Sequence, residues 1–240
     1  MTYCVGLLLN EGMVLLSDTR TNAGLDNIAT YRKMFHFEDP GERIITIVTA
    51  GSLSVTQTTI ARLREAVEDK DATPDTSVIL APTMLKVAEI VGNALATVRR
   101  EIDEKLSMAQ GASATMIVAG QRKGGAMRMF LIYPEGNFIE ATEDTPFLQI
   151  GEHKYGKPIL DRVVKPTTSL SDAQKAVLLS MDSTLRSNLS VGMPLDLCVI
   201  QADECKIGTL RRIEAGDESF RNMSDAWSHA LREGFSQITI

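Results

Sequence analysis

The order of predicted elements indicates an α+β fold of antiparallel sheets covered by helices, with residues 1–240 forming a single domain. Apolar patterns come in blocks, in the order strands, two helices, strands, two helices, strands and a last helix. Alternating strand and helix units would instead predict a parallel sheet. Short turn sequences separate consecutive strands within each block, which is typical of antiparallel pairing.

The first block predicts four strands before any helix. Residues 2–9 and 13–17 are apolar almost throughout and flank the turn sequence Asn10-Glu11-Gly12. We therefore expect two neighbouring strands that are buried on both faces. Residues 28–38 and 43–49 predict a second pair, rich in aromatic and β-branched residues.

The rest of the chain alternates between helical and strand periods. Helices are predicted at residues 52–69, 82–106, 154–163, 171–188 and 218–233, and strands at 115–120, 127–133, 137–141, 147–150, 195–201 and 206–212. The last helix carries Phe220, Met223, Trp227 and Leu231 at positions compatible with one face. That stripe could belong to the core or form a subunit contact, and we expect it to belong to the core.

Composition favours a cytoplasmic globular protein. The chain is 44% hydrophobic with a formal net charge of −6, which gives no basic groove for nucleic acid. It has no apolar run of about 18 residues for a membrane span, and no basic region precedes the apolar start, so no signal peptide is expected. Cys4, Cys198 and Cys205 lack metal-ligand spacing and predict reduced structural thiols. No metal or cofactor is predicted, because the histidines are scattered and the glycines form no nucleotide-binding pattern.

Thr2 is the candidate nucleophile, because removal of Met1 would leave it as the free N-terminus. An α-amino group has an unperturbed pKa of about 7.7 to 8.0 and can accept the proton of the threonine hydroxyl, directly or through a water. One residue would then supply nucleophile and base. Small residues are also common after an initiator methionine, so Thr2 alone does not decide the function.

Further motifs follow Thr2 in a characteristic order. They are Asp18-Thr19-Arg20-Thr21-Asn22-Ala23-Gly24, then Lys33, then Thr49-Ala50-Gly51-Ser52. Together they resemble the N-terminal half of a proteasome β-type subunit, an N-terminal nucleophile hydrolase. The sequence around Arg20 and across residues 37–43 most resembles that of the bacterial ancestral β-subunit family, Anbu. The resemblance covers most of the chain and implies a four-layer αββα sandwich.

The resemblance also implies roles for matched positions. Asp18 would hold the Lys33 ammonium near Thr2 and lower the pKa of its hydroxyl and amine, Arg20 would brace Asp18, and the Gly51 N–H would donate to the oxyanion. By their residue types alone, Asp18 and Arg20 could equally form a surface ion pair, and Lys33 could be an exposed strand lysine. Thr21, Asn22 and Leu53 would border the substrate cleft, the first two through main-chain pairing with a peptide.

The second half departs from the family pattern. Glu152 stands where proteasome subunits commonly have the serine of Gly-Ser-Gly, and Ser187 stands where they commonly have an aspartate. Ser190 matches the serine that normally follows that aspartate. We expect these changes to affect how the Thr2 amine is supported.

The implied function is a threonine-type endopeptidase that forms an acyl-enzyme on Thr2. It would act on peptide or protein substrates inside a homo-oligomer, as a closed ring or an open spiral. Two alternatives stay open: an amidase or acylase for small amides, and a non-catalytic assembly or binding scaffold with a degenerate site. The sequence identifies no unfoldase, and it predicts no nucleic-acid or membrane partner.

Overall fold

The computed structural model describes residues 2–22, 28–106 and 112–239, without the side chains of Asn22 and Leu106. Met1 and the Ala23-Gly24 part of the predicted motif lie outside the described residues. Removal of Met1 therefore stays a prediction.

The bounds of the elements follow in chain order. The strands are β1 (Tyr3–Leu9), β2 (Gly12–Asp18), β3 (Arg20–Asn22), β4 (Ile28–Thr30), β5 (Met34–Asp39), β6 (Arg43–Gly51), β7 (Ala114–Arg122), β8 (Arg128–Ile132), β9 (Phe138–Glu140), β10 (Phe147–Gly151), β11 (Leu195–Gln201) and β12 (Thr209–Ile213). The helices are α1 (Leu53–Glu68), α2 (Met84–Leu106), α3 (Lys157–Val163), α4 (Leu170–Ser187) and α5 (Glu218–Ser236).

Two five-stranded antiparallel sheets form the centre of the molecule. The first has the order β10-β1-β2-β11-β12 and the second β5-β6-β7-β8-β9, while β3 and β4 form a separate hairpin. One apolar cluster lies between the sheets, a second joins the first sheet to α3 and α4, and a third joins the second sheet to α1 and α2. The predicted α+β class and its αββα layering are confirmed.

The side chains of β2 show why its sequence is apolar throughout. Met13 and Leu15 face the cluster between the sheets, whereas Val14 and Leu16 face the helices α3 and α4. Successive side chains of a strand point to opposite faces, so a strand in a middle layer needs apolar residues at every position. The prediction that this strand is buried on both faces is confirmed.

Three predicted elements have different bounds. Residues 28–38 form two strands, β4 and β5, because the chain between them leaves the β3–β4 hairpin and turns Lys33 toward Asp18. The helix predicted from residue 154 begins at Lys157, with Pro158 in its first turn, where a missing N–H costs nothing. The strand predicted from residue 206 begins at Thr209.

The predicted core position of the α5 stripe holds only in part: Phe220 packs against the cluster beneath α3 and α4, Met223 and Trp227 are half-buried, and Leu231 is exposed. Ser224 alone among the α5 residues is buried, and its hydroxyl donates to the Asp182 carboxylate of α4 at 2.7 Å. Leu231 is 53% exposed and Phe235 80% exposed. The first half of α5 therefore packs on the domain, and the apolar side chains of its second half lie at the surface.

No helix within the described ranges is long and apolar enough to cross a membrane.

Candidate active site

Thr2 lies just before β1 and lines a cavity of about 300 Å³. Thr21, Lys33, Gly51 and Leu53 line the same cavity. These positions belong to the starts of β1 and α1, the β3–β4 hairpin, the residue before β5 and the end of β6. Five of the residues singled out from the sequence therefore surround one cavity, although 51 positions separate the first from the last.

The backbone of Thr2 is held by the corner between β10 and α3. Its carbonyl oxygen accepts the N–H of Glu152 at 2.7 Å. Gly151 has a φ of +79°, and a Cβ on this residue would overlap that same carbonyl oxygen. A left-handed conformation and a close backbone approach both require glycine here. Residues 151 and 152 thus fix the main chain from which the Thr2 side chain projects.

A buried ion pair lies beside Thr2. Lys33 Nζ donates to Asp18 Oδ1 at 2.7 Å and to the carbonyl oxygen of Arg20 at 2.6 Å. The Asp18 side chain is fully buried and the Lys33 side chain 7% exposed. Burial raises the pKa of the Asp18 carboxyl above its ordinary value, and the Lys33 ammonium opposes this effect. Lys33 is therefore not an exposed strand lysine, and Asp18 does not belong to a surface ion pair.

Two backbone donors complete the coordination of Asp18. The N–H of Tyr3 reaches Oδ1 at 3.2 Å, and the N–H of Gly192 reaches Oδ2 at 3.2 Å. Carboxylates that accept several hydrogen bonds tolerate burial, because each bond replaces a lost contact with water. Asp18 is thereby fixed in position relative to both Lys33 and the start of β1.

Arg20 supports this arrangement indirectly. Its guanidinium donates to the carbonyl oxygen of Leu189 at 2.9 Å, and no hydrogen bond to Asp18 is present among the described residues. It also packs on Gly192, where a Cβ would overlap the guanidinium. Arg20 therefore does not make the direct contact with Asp18 that was expected. It contacts the loop at residues 188–194, and the Gly192 N–H of this loop binds the Asp18 carboxylate.

Ser190 belongs to that loop but not to the cavity wall. Its N–H donates to Asn188 Oδ1 at 2.9 Å, and its side chain does not line the cavity that holds Thr2. Ser187 is exposed at the last residue of α4. Neither serine side chain forms a hydrogen bond with Thr2 among the described residues.

The junction between β6 and α1 forms another wall of the cavity. Gly51 has a φ of +110°, and a Cβ there would overlap the carbonyl oxygen of Ser113. Ser52 occupies the N-cap of α1, but its side chain makes no capping hydrogen bond, and the first turn holds no acidic residue. The start of a helix favours negative charge, because its first N–H groups lack intrahelical partners. This end of α1 is chemically suited to an oxyanion.

Cys4 is excluded as a competing nucleophile by its surroundings. It is fully buried, and its thiol donates to the carbonyl oxygen of Thr49 at 3.5 Å. Burial, and to a lesser degree the Asp18 carboxylate, raises its pKa well above the ordinary value. The thiol therefore stays protonated and unreactive. Among the described residues, no group of three or more His, Cys, Asp and Glu side chains could hold a metal ion.

Several contributing residues were not singled out from the sequence. Tyr3 anchors the start of β1, since its buried hydroxyl bonds to Ser180 Oγ and to Gln149 Nε2, each at 2.6 Å. Burial raises the pKa of Tyr3 to about 12. Arg32 and Thr56 also line the cavity, as do Thr49 and Ala50 of the predicted motif. Their positions beside Lys33, Gly51 and Leu53 in the sequence were a usable signal, whereas the contacts of Ser180 and Gly192 depend on the tertiary fold. Asn22 pairs with Ile28 through the β3–β4 register, and its side chain lies outside the described residues.

The four-layer fold, with a threonine before the first strand and a buried Lys–Asp pair beside it, defines the proteasome type of subunit. The family model described as "Proteasome subunit" matches residues 2–200. This match spans most of the 240 residues, and the chain therefore belongs to the proteasome subunit family.

Solved structures narrow the resemblance to Anbu, the ancestral β-subunit. Anbu from Hyphomicrobium sp. strain MC1 is 49% identical with a TM-score of 0.92, over 100% of this chain and 99% of that one. The helical assembly of the Anbu complex from Pseudomonas aeruginosa is 41% identical with a TM-score of 0.93, over 100% and 98%. Anbu from Yersinia bercovieri is 40% identical with a TM-score of 0.92, over 100% and 99%. No curated protein matches the chain. The predicted resemblance to the ancestral β-subunit group is confirmed.

Proposed function

We propose that the chain is a threonine-type peptidase, in which Thr2 becomes the N-terminal nucleophile once Met1 is removed. The observation that carries the proposal is the buried Lys33–Asp18 pair at 2.7 Å, whose lysine lines the same cavity as Thr2. A buried ion pair is costly to maintain, because both charges must be taken out of water. Its position at the wall of a cavity, beside a nucleophilic residue type, supports a catalytic use of that charge.

The proposed reaction uses the two ends of the same residue. The free amine of Thr2 takes the hydroxyl proton as the oxygen attacks the amide carbonyl, and the Lys33 ammonium favours the developing alkoxide. The carbonyl oxygen gains negative charge, which the backbone at Gly51 and the start of α1 stabilises. The amine then protonates the leaving nitrogen, and an ester to Thr2 remains. Water, activated by the same amine, hydrolyses this ester and regenerates the hydroxyl.

We further propose that the active form is a homo-oligomer. The solved complex of Anbu from Pseudomonas aeruginosa is described as a helical assembly. In this chain, α5 leaves Leu231 and Phe235 exposed, and Ile238 beyond it is 72% exposed. Exposed apolar groups of this kind are typical of subunit contacts. A closed ring and an open spiral are both compatible with this surface.

A non-catalytic scaffold is the second candidate. It is favoured by Glu152, which stands where the family commonly has a serine, and by Ser187, which is exposed where the family commonly has an aspartate. A small-amide amidase would use the chemistry proposed for the peptidase and differ from it in substrate size.

Hydrolysis of peptides of graded length separates these candidates. We expect cleavage by the wild-type oligomer, a loss of at least ~1,000-fold in Thr2→Ala, and retained activity in Thr2→Ser, which keeps a hydroxyl. Cleavage of small amides alone would favour the amidase. Equal rates for wild type and Thr2→Ala would refute the mechanism, and no turnover of any amide would favour the scaffold.

A further inference from the structure

The charged side chains on the wall of the Thr2 cavity are all positive. Arg32 and Lys33 line it, and no carboxylate does so within the described ranges of the chain. The Lys33 charge is matched by Asp18 at 2.7 Å. The remaining charge on this wall is therefore that of Arg32.

The Arg32 guanidinium is available to a ligand. Within the residues that the structure describes, its side chain forms neither a salt bridge nor a hydrogen bond, and the residue is exposed. Arg32 also borders a second cavity that contains Asp196. That carboxylate is already occupied, because Arg212 binds both of its oxygens at 2.9 and 3.0 Å. No described carboxylate therefore lies within salt-bridge distance of Arg32.

We propose that the Thr2 cavity accepts an acidic peptide side chain, glutamate or aspartate, which Arg32 binds through its carboxylate. A guanidinium presents a planar fork of N–H donors that matches a carboxylate in two parallel hydrogen bonds. The cavity of about 300 Å³ is large enough for one such side chain. Thr21 and Thr49 also line the cavity, beside the apolar Leu53, so polar groups are available to such a side chain.

The choice of a peptide as ligand rests on the proposed function, so the test is designed to run without catalysis. The Thr2→Ala protein, in its assembled state, is titrated with dye-labelled tetrapeptides that differ at one position, which carries Glu, Gln, Leu or Lys. Both ends of each peptide are blocked, so that the side chain supplies the only carboxylate. Moving the varied residue one position in either direction locates the subsite.

We expect the Glu peptide to bind about 5- to 10-fold more tightly than the Gln peptide at one position, with the difference reduced by salt. The preference should vanish when Arg32→Gln is added and should change to Lys over Glu when Arg32→Glu is added. A misfolded protein would not produce such a reversal. Arg100→Gln, which removes an exposed charge that does not line the cavity, is the matched control and should keep the Glu preference.

Equal affinities for the Glu and Gln peptides, or a Glu preference that survives Arg32→Gln, would overturn the subsite. The outcome is independent of turnover, because the protein under test lacks the Thr2 hydroxyl. A wild-type protein that hydrolyses nothing while this preference is present would refute the proposed peptidase and leave the acidic subsite standing.

Discussion

The two halves of the site contribute different chemistry. Residues 2–56 provide the residues that line the cavity with Thr2, including the buried charge of Lys33. The second half provides backbone groups: the Glu152 N–H that holds the Thr2 carbonyl and the Gly192 N–H that holds Asp18. Reactive groups therefore depend on residue identity in the first half, and their positions depend on backbone geometry in the second.

The largest effect is expected in the first half, from Asp18→Asn. The change leaves the Lys33 ammonium buried without a counter-charge, so the free energy of unfolding should fall by about 3 to 5 kcal/mol. Activity should fall at least ~100-fold. Denaturant unfolding and hydrolysis rates measure the two effects.

Two controls separate stability from catalysis at this pair. Asp18→Asn combined with Lys33→Met should recover much of the stability but none of the activity. Asp182→Asn alters a buried carboxylate whose partner Arg186 is half exposed, and should cost about 1 kcal/mol without affecting activity. If the double variant regained activity, the charge on Lys33 would not be part of the mechanism.

An intermediate effect is expected in the second half, from Gly151→Ala. The added Cβ would overlap the Thr2 carbonyl oxygen and so displace the nucleophile. We expect a loss of roughly 10- to 100-fold in kcat/KM, since small displacements in a site have effects of this size. Gly124→Ala is the control, because Gly124 has a φ of +71° with open space around it. That variant should cost about 1 kcal/mol from backbone strain and leave the kinetics unchanged.

A smaller effect is expected from Glu152→Gln. Tyr3 pairs with Gly151 in the β1–β10 register, which sets Glu152 opposite Thr2. The Glu152 carboxylate pairs with Lys154 at 3.7 Å. If it also acts on the Thr2 amine, it stabilises the protonated amine and raises its pKa, so its removal should shift the acid limb of the pH profile of kcat/KM to lower pH, by roughly 0.5 to 1 unit. Ser190→Ala serves as control, with rates within about twofold of wild type and an unmoved limb. An acid limb that stays in place in Glu152→Gln would mean that the carboxylate does not act on the amine.

The elements and site residues that could be predicted from the sequence are those that a pattern of neighbouring residues identifies. The unbroken apolar runs at residues 2–9 and 13–17 and the turn between them were sufficient for the central strands. The motifs around Asp18, Lys33 and Gly51 pointed to one cavity. The break between β4 and β5 was missed because it is imposed by the position of Lys33, not by a breaker residue. The exposed end of α5, at Leu231 and Phe235, was missed because an apolar stripe at helical spacing does not distinguish a core from a surface.

Contacts between distant parts of the chain could not be predicted in this way. Arg20 was expected to touch Asp18, yet it reaches the Leu189 carbonyl and acts through Gly192. These contacts depend on where the fold places the loop at residues 188–194 relative to Arg20 and Asp18, and no local sequence pattern encodes that position. Ser190 matched a family position, but its side chain does not line the cavity.

The central claim is that Thr2 acts through its own free amine. Intact mass spectrometry of the purified oligomer, before and after treatment with a threonine-reactive epoxyketone, tests it most directly. The account predicts a chain that lacks Met1 and gains one inhibitor mass on Thr2, with no adduct in Thr2→Ala. A chain that retains Met1 and gains no adduct, or an adduct that persists in Thr2→Ala, would contradict it.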